Sequence, residues 1–469
     1  MKKRLLINIY SIIVLVIMIF TLIQIVKLGI LPNKYFYPIV IGDILFYSIG
    51  LLFYNLKKNA LVILGIIILL FSAVTNCIGL YYISKVNSYI SKSFNSPTYT
   101  IENKYYVVAN ANDVDKIEDI SKDANIRYYK YSKSVDKATK DLGKYNYISS
   151  DSVFDSFLKV LYEKDNYLLI SKADFDYFFS STTLLNSSDF KVIYEFTVIE
   201  KVKVNNKTKD SYNIYINGLD FTGIMRDYNL IVTVNTKTHK ILLTSIPRDY
   251  YIDVPAYNMK DTLMCLGSLD SEVSKEALEK LFNIEIDYTI NVNTNSLVKI
   301  VDTLGGIEFC SDYDFITNHP LVLDTYDDTT GEKLHVIKGC KTYNGIETLA
   351  IARERVALPG RDRYRQKNCA QIIISIGKKL ASTNSILNYK EIMDSFDGLY
   401  TTDMNEKVIK SLIKSYVDDR NYDIIQQSVD GTDGIGVGHL GTQEAWIMNP
   451  DMNTVDSASK KINEVLNEK

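Results

Sequence analysis

Three apolar stretches fill most of the first 84 residues, near 5–30, 36–56 and 60–83. Each reaches or exceeds the about 20 residues a helix needs to cross a hydrocarbon core, so all three are expected to be spanning helices. A cleaved signal peptide is the competing reading of the first, with Lys2, Lys3 and Arg4 as its basic flank. That reading fails on three counts: the apolar run is long, no small-x-small cleavage site follows, and two more spans come directly after. Lys2, Lys3 and Arg4 before the first span, and Lys57 and Lys58 between the second and third, favour the cytoplasm at both places. Three crossings then carry residue 84 onward to the other side of the membrane. Asp43 falls inside the second span, where a carboxylate is by default a functional candidate; a place near the outer interface or a partner within the bundle is the simpler account.

At 469 residues the chain has room for this anchor and two or three folded units. Residues 1–100 hold nine Lys/Arg and a single acid, Asp43, leaving 44 basic and 55 acidic residues beyond them, a net of −11. An external region this acidic repels nucleic acid and anionic lipid as bulk partners. The cytoplasmic loops are too short for a DNA-binding unit. Of five cysteines, Cys77 lies in an apolar stretch; Cys265, Cys310, Cys340 and Cys369 allow one or two bridges whose pairing the spacing does not settle. Four scattered histidines argue against a histidine-built zinc site.

After a polar linker at 85–100, residues 101–200 alternate between short apolar runs and helical patterns. Strands are expected at Tyr105–Ala109, Tyr145–Ile148, Tyr167–Ile170 and Lys191–Ile199, with helices at 134–143, 152–163 and 172–180. This alternation predicts a small α/β domain similar to one lobe of a solute-binding protein. It holds no nucleophile, metal set or phosphate loop, so an accessory binding role is the expectation.

The chemistry concentrates after residue 211. Strands at Tyr212–Ile216, Asn229–Val234 and Ile241–Ile246 lead into Pro247-Arg248-Asp249, which places Arg248 at a strand end, where α/β sheets bind ligands. Helices are expected at 272–283 and 294–304, with a strand at Ile286–Val292 and a turn at Gly305-Gly306. Gly339 and Gly345 flank a short helical run into Leu349–Arg355, and in an extended segment Arg353 and Arg355 would share one face. After the turn Leu358-Pro359-Gly360 come Arg361, Asp362, Arg363 and Arg365, then a helix with Ile372, Ile373, Ile376 and Leu380 inward. Five arginines within thirteen residues suit a pyrophosphate, because guanidinium groups bind phosphate oxygens in pairs and stay charged. A solvated charged face paired with Glu354 and Asp362 is the other reading. Asp220 and Asp227 are two hard oxygen ligands suited to Mg²⁺. Toward the C-terminus, 404–417 reads as a helix, Gly431–Gly441 as a surface connection, and Trp446-Ile447-Met448 as a closing strand.

The segments Gly218-Leu219-Asp220, Arg226-Asp227, Ser245-Ile246-Pro247-Arg248-Asp249, Val301–Gly306, Ala352–Arg355 and Leu358–Arg365 together resemble the LytR-CpsA-Psr family over about 211–385. The resemblance implies an α/β fold, with a central mixed sheet between helices and an apolar pocket for a lipid tail. A C-terminal extension at 386–469 would pack on it, and the whole would stand in a bacterial cell membrane. It implies a Mg²⁺-dependent phosphotransferase that moves an anionic, teichoic-acid-like glycopolymer from a polyprenyl-pyrophosphate carrier to peptidoglycan, with pyrophosphatase activity as a side reaction. By matching position, Arg248, Arg353, Arg355 and Arg365 would hold the pyrophosphate beside Asp362, and Asp220 and Asp227 would hold the metal. Arg226, Asp249, Arg361 and Arg363 would line the substrate; the base is not assigned by the resemblance, and Asp249 and Asp362 are candidates by their proximity in sequence to the arginines. Cys369 stands where a Gln usually follows the last arginine. A protein that grips an envelope lipid or glycan without turning it over is the alternative.

Overall fold

The computed structural model describes residues 2–56, 58–94, 98–132, 134–181, 184–203, 209–220, 225–267, 271–323, 331–380, 396, 398–418, 422–438 and 445–469. Lys57, part of the expected linker and Gly441 lie outside the described residues.

The three apolar stretches form α1 (Lys2–Leu28), α2 (Asn33–Tyr54) and α3 (Asn59–Phe94). All three are long and apolar enough to cross a membrane. Small residues let α2 and α3 approach closely. A Cβ on Gly65 would meet the Tyr54 nitrogen at 2.5 Å and the Gly50 carbonyl at 2.7 Å, so nothing larger than hydrogen fits there. Asp43 takes the partner-in-the-bundle reading, accepting a hydrogen bond from Asn76 Nδ2 at 3.2 Å.

The expected linker at 85–100 needs correction. Residues 85–94 are the last turns of α3, and the next strand already begins at Thr98. Polar Lys85, Asn87 and Ser91 obscured a helical repeat of Ile83, Val86 and Ile90, with Ile90 buried. At about 1.5 Å per residue, α3 exceeds a bilayer core by several turns.

The accessory domain contains β1 (Thr98–Asn110), β2 (Asn125–Tyr129), α4 (Val135–Leu142), β3 (Asn146–Ser150), α5 (Val153–Tyr162), β4 (Asn166–Ser171), α6 (Lys172–Ser181) and β5 (Phe190–Lys203). The sheet order is β3-β2-β4-β1-β5. The sequence pattern missed β2, whose central Arg127 breaks the apolar run; its side chain bonds Asn166 Oδ1 at 3.0 Å. An aromatic cluster fills the helical side, with Phe157 stacked on Phe178 at 4.6 Å. That cluster continues without a break into the following domain, where Tyr131 meets Tyr257 at 4.7 Å. The two external units therefore share a core.

The second domain opens with the meander β6 (Ser211–Leu219), β7 (Arg226–Asn235) and β8 (Lys240–Ile246). There follow a small hairpin, β9 (Tyr251–Val254) and β10 (Met259–Thr262), then α7 (Ser271–Phe282), β11 (Tyr288–Asn293) and α8 (Thr294–Thr303). A satellite layer contains β12 (Ile307–Ser311), β13 (Phe315–Pro320), β14 (Lys333–Val336) and β15 (Gly339–Tyr343). The chain finishes with α9 (Gly345–Arg353), α10 (Asp362–Leu380), β16 (Tyr400–Thr402), α11 (Glu406–Asp418), β17 (Asp423–Ser428), β18 (Gly431–Gly436), β19 (Ala445–Pro450) and α12 (Met452–Asn467).

The central sheet runs β16-β11-β6-β7-β8-β17 and is mixed: β11 is parallel to β6 and β17 to β8, while the meander is antiparallel. Alternation along β7 builds both cores. Leu230, Val232 and Val234 face α10 and α11, whereas Ile231 faces α7 and α12. The α-β-α expectation holds. Residues 386–469 are not merely an extension, because β17 is an edge strand of the sheet and α12 covers one face. Gly431–Gly436, expected as part of a loop, is a strand paired antiparallel with β19.

Candidate functional site

Four separate segments bring charged groups to one end of the sheet. The first is the start of β7. Gly218 pairs with Tyr228 and Leu219 with Arg226, so Asp227 is the extra residue of a β-bulge. A bulge re-aims a side chain, and the Asp227 carboxylate is directed to Arg248, with which it forms an ion pair. Arg226, one residue earlier, is buried against Tyr215 on the other side of the strand.

Arg248 and Asp249 leave the end of β8 on a backbone held from both sides. Met264 N–H donates to Arg248 O at 2.8 Å, and Met448 N–H in β19 donates to Asp249 O at 2.7 Å. The Arg248 Nε lies 3.5 Å from the Asp249 carboxylate. A guanidinium between two carboxylates on so fixed a backbone has little freedom to move.

Arg355 follows the end of α9. The helix starts with a capping box, Asn344 with Glu347. The Gly345 N–H donates to Asp302 at 2.7 Å, and a Cβ at Gly345 would meet the Val298 carbonyl at 2.3 Å, so α8 and α9 touch there. Past the helix, Glu354 is fully buried. Its carboxylate accepts the N–H groups of Val356 at 2.7 Å and Ala357 at 2.8 Å, and also that of Asn318. The helical run expected here is α9, so Arg353 and Arg355 do not share an extended face: Arg353 closes the helix, and Glu354 turns the chain so that Arg355 points to the cluster. Glu354 is a positioning residue that the sequence pattern offered only as a surface ion-pair partner. An acid set between two arginines just before a turn was the available signal.

The first turn of α10 supplies Asp362 and Arg365. Arg365 Nη2 lies 2.7 Å from Asp362, whose other oxygen accepts Gln366 Nε2 at 2.9 Å. Arg365 is buried and shares electrostatic reach with Asp227, Asp249 and Arg355. Cys369, one turn further, is buried with its thiol on the Ala352 carbonyl at 3.4 Å; burial pushes that thiol up to about 12, so it is a neutral packing group.

The structure thus gathers Asp227, Arg248, Asp249, Arg355, Asp362 and Arg365. Burial acts to raise the Asp227 carboxyl, but Arg248, Arg365 and Arg355 outweigh it and hold the group below the ordinary carboxylate range. Asp362 behaves alike, with Arg365 its strongest counter-charge. Asp249 differs: burial outweighs Arg248, the Asp362 charge adds to it, and its carboxyl is raised. Burial and the like charges of Arg248 and Arg365 lower Arg355.

Arg353 and Arg363, also expected in the site, are engaged elsewhere. Arg353 donates to the carbonyls of Val322 at 3.3 Å and Leu323 at 2.9 Å. Arg363 bonds Asp430 at 2.8 Å and Gly431 O at 3.3 Å. Arg361 is exposed, with φ of 48° in the turn before α10. Asp220 accepts the Met225 N–H at 3.2 Å across the connection from β6 to β7. Among the described residues no group of three or more His, Cys, Asp and Glu could hold a metal ion.

This placement separates two neighbouring arginines. Arg355→Ala is expected to reduce the site's turnover by up to about 10²-fold, while Arg353→Ala, which releases two loop carbonyls, should cost at least about tenfold less. Steady-state rates of the two purified variants check this; equal losses would place Arg353 in the cluster after all.

A model of the LytR_cpsA_psr family matches residues 181–464, leaving most of the accessory domain outside and running past residue 385 into α12. The polyisoprenyl-teichoic acid–peptidoglycan teichoic acid transferase TagU of Enterococcus faecalis is 26% identical over 224 residues, 46% of this chain and 69% of that protein. The enzyme of the same name from Bacillus cereus is 27% identical over 223 residues, 46% of this chain and 67% of that one. Among solved structures, TagV of B. subtilis has a TM-score of 0.46 at 21% identity, covering 56% of this chain and 100% of that one. The family match takes in more than half of the 469 residues and every member of the charged cluster, and on that ground the chain belongs to the LytR_cpsA_psr family.

Proposed function

We propose that the cluster is the transfer centre of a membrane-anchored phosphotransferase. It takes an anionic, teichoic-acid-like glycopolymer with its attached phosphate from a polyprenyl-pyrophosphate carrier to a hydroxyl of peptidoglycan, breaking the phosphoanhydride bond and releasing polyprenyl phosphate, outside the cytoplasmic membrane, with the N-terminus in the cytoplasm. The observation that carries this reading is the convergence of Arg248 with Arg355 and Arg365, which lie more than 100 positions further along the chain, around Asp227 and Asp362. Phosphoryl transfer needs positioning and charge neutralisation more than covalent help, and three fixed guanidinium groups supply both. The teichoic-acid transferases among its relatives support the substrate class. A disulfide between Cys310 and Cys340 supports an oxidising, external location for this domain.

Three guanidinium groups and three carboxylates leave the cluster with no net charge, so an arriving pyrophosphate calls for added positive charge. Carboxylate oxygens are the donors Mg²⁺ favours, and one or two suffice when phosphate completes its shell. Asp227, with Asp220 beside the same bulge, would hold the ion, which supplies charge neutralisation when bound. Arg248, Arg355 and Arg365 would grip the pyrophosphate oxygens directly.

Asp249 is the base for the acceptor hydroxyl. Asp362 is held ionised by Arg365 and is a weaker proton acceptor, whereas the raised carboxyl of Asp249 is better matched to the task. Only its deprotonated form accepts a proton, so the rate should fall as pH drops through that raised value, above the ordinary carboxylate value of about 4. Asp249→Asn should remove this acidic limb and lower the rate by about 10²-fold; an unchanged limb in the variant's pH–rate profile would assign the base elsewhere. The reading as a whole is tested by incubating the full chain in lipid nanodiscs with a polyprenyl-pyrophosphate-linked glycan, Mg²⁺ and peptidoglycan fragments. Phosphodiester-linked product supports it. Tight binding without turnover supports the non-catalytic alternative.

A further inference from the structure

A cavity of about 440 Å³ opens at the end of the central sheet opposite the arginine cluster. One wall is the turn between β7 and β8, with Lys237 and His239, together with Asp210 just before β6. Since β7 runs from the cluster to this turn, the two sites lie about 30 Å apart along the sheet. The facing wall comes from the anchor, where Lys34 lies in the first turn of α2, and from the C-terminal part of α11, with Lys414 and Asp418.

The cavity's position follows from how the external domain meets the anchor. Ser91 and Asn87 in the outer turns of α3 bond Glu406 at 3.4 Å and Lys410 at 3.2 Å, and Lys34 pairs with Asp418 at 3.2 Å. Successive contacts along α11 therefore run down α3 to the turn joining α1 and α2. A turn between two spanning helices sits at the level of lipid head groups, and the cavity shares that level.

Its lining is cationic. Lys34 and Lys237 each have an aspartate partner at the rim, Asp418 and Asp210, the latter at 2.7 Å. Lys414 lines the cavity with its side chain exposed. The first turn of α2 adds to this: Pro32 offers no side-chain cap, so the positive end of a 22-residue helix borders the cavity. Three lysines against two aspartates leave an excess of positive charge in a region of the protein that is otherwise acidic.

We propose that this cavity binds the phosphate of an anionic membrane lipid and so clamps the external domain to its anchor at the bilayer surface. The lipid would bridge Lys414 and Lys237, contributed by α11 and the β7–β8 turn, to the start of α2. Nothing in this proposal depends on the arginine cluster being catalytic.

The test uses the full chain in nanodiscs of phosphatidylcholine, with or without about one-fifth phosphatidylglycerol, followed by native mass spectrometry of retained lipid. Preferential retention of phosphatidylglycerol is expected, falling about fivefold for each of Lys414→Gln and Lys237→Gln. Both side chains are exposed, and a thermal melt of each variant checks that it remains folded. Retention of phosphatidylglycerol by the double variant at the level of the parent would overturn the proposal, as would equal retention of the two lipids. Millimolar inorganic phosphate is the second arm: complete displacement of the lipid by it would reassign the cavity to a soluble anion.

Discussion

Arg248→Ala is expected to lower polymer transfer by about 10²- to 10³-fold, the loss typical of one preorganised donor at a site of developing charge. Arg248 is the central cation of the cluster. It pairs with Asp227 on the bulge, approaches Asp249, and sits on a backbone held by Met264 and Met448. Its removal takes a donor from the pyrophosphate and strips Asp227 of its nearest counter-charge. The Asp227 carboxyl should then rise, because the burial that already acts to raise it would be opposed by Arg365 and Arg355 alone. Arg248→Lys should recover only part of the rate: a point charge replaces a planar fork that can serve a phosphate and a carboxylate together. Rates of labelled polymer transfer, with circular dichroism as a check on folding, measure both effects. A rate for Arg248→Ala within a few-fold of the parent would exclude the cluster as the transfer centre.

Opening the Cys310–Cys340 bridge is expected to cost about 3 to 4 kcal/mol of stability, on the loop-closure account of a cross-link spanning this length of chain. The two residues are directly opposed on β12 and β15, 30 positions apart in sequence. The loop they close contains β13 and β14, which pack Phe315, Leu334 and Val336 against Ile351, Leu358 and Ile372. Those last three carry the chain segment that presents Arg355 and Arg365. Cys310→Ser with Cys340→Ser should therefore lower the melting temperature by about 10 °C and reduce transfer near the melting range before the central sheet is lost. Calorimetry of the oxidised parent and the double variant measures this. A difference below about 1 kcal/mol would mean that the satellite core holds those arginines without the bridge.

Much of the architecture was legible in residue order because it rests on periodicity. Spans of about 20 apolar residues, alternating strands such as Tyr212–Ile216, and helices such as 272–283 need no distant partner to announce themselves. Where a local signal was weak, reading failed for identifiable reasons. Lys85, Asn87 and Ser91 look like a linker until Ile90 is seen packed inside, and Arg127 interrupts the apolar run of a five-residue strand. Gly431–Gly436 resembles a loop because its pairing partner, β19, lies beyond a long connection.

For the site, the sequence by itself determined which residue types were available: an arginine-dense segment, Arg248 at a strand end, and paired acids, the pattern of a phosphate-handling family. Only the tertiary structure decided which of them meet. Arg353 and Arg355 stand two apart and part company, since a helix ends between them and the buried Glu354 turns the chain. Asp227 reaches Arg248 because a single extra residue in β7 rotates its side chain. Side-chain direction at a helix end or a bulge is set by three-dimensional packing and by which backbone groups must be satisfied, and spacing along the chain does not encode it.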